Sequence, residues 1–118
     1  MISPLALLNT TIATSDGWYD VYTVTKEYAI MLFNSYSDNF ISAIGHDSTA
    51  EILNTILGTT AIKTNRIEFK QQHGQTALCF KLKGRPLEGK ILSVDEIEQI
   101  GYEFKLMECN EPVTLPAL

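Results

Sequence analysis

Gly45-His46-Asp47 is the stretch of this chain best suited to acid–base chemistry on an anion. An apolar run, Phe40-Ile41-Ser42-Ala43-Ile44, stops there, and a helix signal follows at Ser48. Backbone amides and the positive end of a helix dipole favour a phosphate at such a junction. An imidazole populates both protonation states near neutrality, so it can give a proton to a leaving oxygen. The same place equally suits a histidine that caps the helix or faces solvent, and residue type alone leaves both readings open. His73, the other histidine, stands beside Gly74 in a segment that reads as a loop, where solvent exposure is expected. Neither has cysteines or carboxylates at helical ligand spacing, so no metal site and no cofactor are expected.

Arg66 opens an alternating run, and Arg85 lies in a loop bracketed by Gly84 and Gly89. Both fall at element ends, where functional groups are displayed, although strand-end arginines also serve simply as solvated charges. Glu88, near Arg85, reads either as an orienting partner or as a base. Asn9 and Thr10 follow a short apolar strand and can bond a ligand or close their own loop. Gly17-Trp18-Tyr19 offers aromatic faces that could stack on a base or cover the core.

The elements that must position these residues follow from periodicity. Pro4 to Leu8 is a short apolar run suited to a buried strand, and its loop continues to the turn signal Asp16-Gly17. Val21 to Val24 alternates as a strand. From Thr25, helical spacing of Ala29, Leu32, Phe33 and Tyr36 predicts a helix, broken at Ser37-Asp38-Asn39 before a strand over 40–44. Ser48 and Glu51 form a capping-box pattern ahead of Ile52, Leu53, Ile56 and Leu57, with Gly58 as the stop. Two alternating runs, 66–70 and 76–82, predict a hairpin. Ser93 and Glu96 give a second capping box before a short helix ending at Gly101, and a last strand covers 102–107. The expected fold is therefore α/β, a single small domain with a mixed β-sheet of about five strands flanked by helices. It spans residues 1–109, with 110–118, containing Pro112 and Pro116, as a tail.

Composition narrows the partners. The chain has 118 residues, 45% of them hydrophobic, enough for one core. A net charge of -5 argues against sequence-independent binding to DNA or long RNA, which needs a basic face. It leaves room for a small anion held by a few converging arginines. Cys79 and Cys109 are far apart and read as reduced thiols. Without a run of about 18 apolar residues or a secretory leader pattern, the chain is expected to be cytoplasmic and not membrane-bound.

Four blocks taken together, Leu7-Leu8-Asn9, Ile44-Gly45-His46-Asp47-Ser48-Thr49, Asn65-Arg66-Ile67-Glu68 and Arg85-Pro86-Leu87-Glu88-Gly89-Lys90, resemble the viral type III anti-CRISPR ring nucleases in order and spacing. The resemblance covers residues 4 to 108. It implies a C2 homodimer that binds cyclic tetra-adenylate across the dimer and cuts it without a metal, switching off type III CRISPR signalling. By the same resemblance, His46 matches the general acid, and Arg85 and Glu88 match a loop pair beside the reacting phosphate. Arg66, Asn9 and Thr10 match ligand contacts, while Gly45, Asp47 and Ser48 match a phosphate-holding helix start. The alternatives are a sponge that holds the cyclic nucleotide uncut, or a structural or partner-binding domain.

Overall fold

The structure is a computed structural model and describes residues 3–84 and 92–111. In chain order the elements are β1 (Leu5–Leu8), β2 (Trp18–Val24), α1 (Lys26–Ser35), β3 (Phe40–Ser42), α2 (Asp47–Leu57), β4 (Thr76–Leu82), α3 (Val94–Ile100) and β5 (Tyr102–Asn110). The strands form one mixed sheet in the order β2-β5-β4-β1-β3. β1 runs parallel to both β3 and β4, whereas β5 is antiparallel to β4 and β2.

Strand alternation sorts the apolar side chains onto two faces. Leu5, Leu7, Leu78, Phe80 and Phe104 point to one of them and pack against Ala29 and Phe33 of α1, Ala50, Ile52, Leu53 and Leu57 of α2, and Ile97 of α3. The opposite face carries Ala6, Leu8, Ala77, Cys79 and Met107, which irregular segments cover through Phe69 and Ala43 together with Tyr19 of β2. No helix of the described residues is long and apolar enough to cross a membrane.

Most of the expected elements are present, with informative departures. Thr25 caps α1 by accepting from the Tyr28 amide at 3.1 Å, and Ser93 and Glu96 close a full capping box on α3. The expected box at Ser48 and Glu51 does not form. The helix starts earlier, with His46 at the cap position and Asp47 as its first residue. A carboxylate in that first turn is favoured by the helix dipole, and the Thr64 hydroxyl donates to it, which stabilises the earlier start.

The expected hairpin of 66–70 with 76–82 is also absent. Residues 66–70 form no strand, because both edges of β4 are already taken by β1 and β5. Its central residues, Ala77 to Phe80, are buried on both faces. The antiparallel partner of β4 is instead β5, reached through α3. β5 continues to Asn110, whose side-chain amide donates to Asp20 at 3.1 Å, so that residue belongs to the sheet.

Candidate functional site at the carboxyl ends of the parallel strands

β1, β3 and β4 run in one direction, so the segments that leave them emerge at the same end of the sheet. Those segments begin with Asn9-Thr10 after β1, Ala43 to His46 after β3, and Lys83-Gly84 after β4. In α/β sheets the crevice outside the carboxyl ends of parallel strands is where ligands are held.

The β3 exit is the most closely braced of these. The Ala43 amide still donates to the Leu7 carbonyl of β1 at 2.9 Å. On the other side, Asn65 donates its backbone amide to the Ile44 carbonyl at 2.9 Å and its side-chain amide to the Ser42 carbonyl at 2.8 Å. Arg66 donates Nε to the Gly45 carbonyl at 2.9 Å, and Thr64 Oγ1 donates to Asp47 Oδ1. Inside the turn, the Ile44 amide donates to Ser42 Oγ at 3.3 Å.

His46 emerges from this frame with extended backbone, φ -129° and ψ 130°, and its carbonyl accepts the Ala50 amide. Its side chain makes no capping bond and is exposed. Open amides of the first turn of α2 lie beside it. A Cβ built on Gly45 would meet only Arg66 Cγ, at 3.9 Å, so the space over the turn is open. Because Arg66 is anchored through Nε and exposed, the two terminal amino groups of its guanidinium are left to grip an anion. The turn thus offers a proton donor, a fixed positive fork and a helix N-terminus within one short stretch of surface.

Gly45, His46, Asp47, Ser48 and Arg66 therefore come together, although Arg66 lies in an irregular segment and not at the start of a strand. Asn9, half-buried, and Thr10, exposed, leave the adjoining strand at the same end. Arg85, Glu88 and Lys90 lie outside the described residues. His73 is remote from this group. It is exposed near the start of β4, with Nε2 2.9 Å from the Asp16 carbonyl. Trp18 and Tyr19 also belong to that opposite end, where Trp18 pairs with Asn110. The Tyr19 hydroxyl donates to the Ser15 carbonyl at 2.8 Å, so Tyr19 closes over its own neighbourhood.

The bracing of the turn and one further cleft went unmarked in the sequence. Thr64 and Asn65 brace the His46 turn; the sequence marked Asn65 only as part of the Asn65-Arg66-Ile67-Glu68 block and gave it no bracing role, and it did not mark Thr64 at all. Thr10, Thr11, Cys79, Lys81, Glu103 and Lys105 line a cleft of about 170 Å³ on the face away from the helices. Alternation in β4 and β5 places its charged residues on that face, but the strand pairing that joins them is not local. Burial pushes the Cys79 thiol up to about 11, against the opposing pull of a Thr11 hydrogen bond and the Lys105 charge. The thiol is therefore protonated at neutral pH and is a poor nucleophile. Among the described residues no group of three histidine, cysteine or carboxylate side chains is placed to hold a metal ion.

The fold and this turn define a small single-domain α/β protein with a five-stranded mixed sheet and an anion-suited helix start at its parallel strand ends. The chain belongs to the STIV B116-like family, which it matches over residues 5–104. It is 34% identical over 103 residues to YddF of Bacillus subtilis, covering 87% of this chain and 94% of that protein. The ORF117 protein of Acidianus two-tailed virus is likewise 34% identical over 103 residues, covering 84% of this chain and 87% of its own. Among solved structures, B116 of Sulfolobus turreted icosahedral virus aligns with a TM-score of 0.77 at 29% identity, over 89% of this chain and 98% of that one.

Proposed function

We propose that this protein is a metal-independent ring nuclease that binds cyclic tetra-adenylate and cuts it to linear di-adenylates ending in 2′,3′-cyclic phosphate. The observation that carries the reading is the His46 turn: an exposed imidazole with no capping bond, at a helix N-terminus, beside an arginine anchored by Nε. These are the groups that a phosphodiester needs for transfer without a metal.

In the proposed reaction a ribose 2′-oxygen attacks its own neighbouring phosphorus and the bond to the 5′-oxygen breaks. The hydroxyl proton passes to solvent, and His46 gives a proton to the departing oxygen. A positioned acid of this kind contributes about 10²–10⁴ in rate. Arg66 and the first amides of α2 hold phosphoryl oxygens, while Asn9 and Thr10 contact the ring from the β1 exit. Arg85 and Glu88, assigned by resemblance, would complete the set of groups around the reacting phosphate. A four-fold ring contains a two-fold axis, so a symmetric homodimer would present one His46 to each of two opposite linkages. The occurrence of relatives in an archaeal virus fits a role in silencing type III CRISPR signalling.

Purified protein in EDTA should convert cyclic tetra-adenylate to di-adenylate, resolved by liquid chromatography. Intact ring after long incubation sinks the nuclease reading. Tight binding without cutting would identify a sponge, and absence of both would leave a structural or partner-binding domain.

A further inference from the structure

We propose that Asn65 is a positioning residue for His46, clamping from one side the turn that β1 holds from the other. The proposal rests on the nuclease reading for its kinetic consequence, but its structural core stands on hydrogen bonds alone.

β3 is only three residues long, and past Ser42 a single bond, Ala43 amide to Leu7 carbonyl, still ties the chain to β1. A helix start is ordinarily fixed by its cap side chain, which bonds an amide of the first turn. His46 makes no such bond, so nothing at the cap itself sets the angle at which the chain enters α2. Asn65 supplies the missing constraint. Its two donors reach alternate carbonyls of the turn, Ser42 at 2.8 Å and Ile44 at 2.9 Å, and fix both ends of the stretch immediately before Gly45. Arg66 follows it directly and takes the next carbonyl, that of Gly45. The clamp therefore places the imidazole and the guanidinium relative to one another, which the reaction requires and stability does not.

Asn54 offers an internal comparison, because it makes the same kind of two-point clamp at the other end of α2. Its side chain donates to the Ile62 carbonyl and accepts from the Ile62 amide, each at 2.9 Å. It supports the fold without touching the His46 turn.

The test compares Asn65→Asp, Asn65→Ala and Asn54→Ala in the full chain by three readouts. These are steady-state kinetics on cyclic tetra-adenylate, thermal midpoint, and the imidazole proton–carbon NMR signals of His46 and His73 in ligand-free protein. Asn65→Asp keeps the size but replaces the donor with a carboxylate facing the Ser42 carbonyl. The Asn65 variants should lower kcat by about tenfold or more through misplacement of the acid, with KM changed by less than about threefold. Their His46 signals should shift or broaden while those of His73 stay in place. Asn54→Ala should lower the thermal midpoint with kcat and the His46 signals unchanged. Unmoved His46 signals in both Asn65 variants would overturn the proposal, as would an equal kcat loss in Asn54→Ala at equal loss of thermal midpoint. If the wild-type protein does not cut the ring, the nuclease reading fails on its own, and the NMR comparison still decides whether Asn65 holds His46.

Discussion

The two histidine turns lie at opposite ends of the sheet and are built in opposite ways. At His73 the neighbouring glutamines hold the backbone: Gln71 Nε2 donates to the Gln75 and Met107 carbonyls, and the Gln72 amide donates to Gln75 Oε1. The His73 ring is itself engaged, with Nε2 2.9 Å from the Asp16 carbonyl. At His46 the backbone is held as firmly, by Asn65 and Arg66, yet the ring makes no hydrogen bond within the described residues. A side chain that must exchange a proton with a ligand needs a fixed base and a free tip. His73 has the first without the second.

That contrast can be broken most decisively at His46 itself. His46→Ala should reduce kcat by about 10²–10⁴ while ring binding, measured by calorimetry, persists; an unchanged kcat would remove the distinction between the two turns. A smaller effect is expected at Arg66. Replacing it with alanine should weaken ring binding by about tenfold, and Arg66→Lys should fail to restore it, because lysine has no fork to bond Gly45 and an anion together. If lysine restores binding, charge alone suffices and the anchoring bond is idle. The smallest change belongs to His73→Ala, which should leave kcat alone and cost about 1 kcal/mol in urea denaturation by removing one hydrogen bond. A kcat loss there would place function at the wrong end of the sheet.

Local patterns in the sequence disclosed the types of residue at the site better than their company. Thr25 with Lys26–Ser35, and Ser93 with Glu96, were legible because a cap and the helix it starts are contiguous. Ser48 and Glu51 showed an equally good pattern, and the decisive partner for the earlier start, Thr64 on Asp47, comes from far along the chain. Alternation over 66–70 suggested a strand but could not say whether a sheet edge was vacant, and in the structure only Phe69 of this segment is partly buried. With β1 and β5 on either side of β4, none was. Gly45-His46 and Arg66 were recognisable singly, whereas their proximity depends on the bonds that Asn65 and Arg66 make to the β3 exit. Trp18 looked suited to stacking on a base, yet the register with Asn110 carries it to the opposite end.

The sheet order also has a consequence in time. β1 is made first but is flanked by strands that begin at Phe40 and Thr76, and Trp18 of β2 finds its partner at Asn110. Every one of these pairings closes a long stretch of chain, and such closures are entropically costly and slow to form. A nascent chain exposed as far as Arg66 already contains His46 and its whole clamp. It still lacks β4, which flanks β1 on the side away from β3, and β5, which joins β2 to the rest. The residues that clamp the turn are therefore all present well before the sheet that carries them can close.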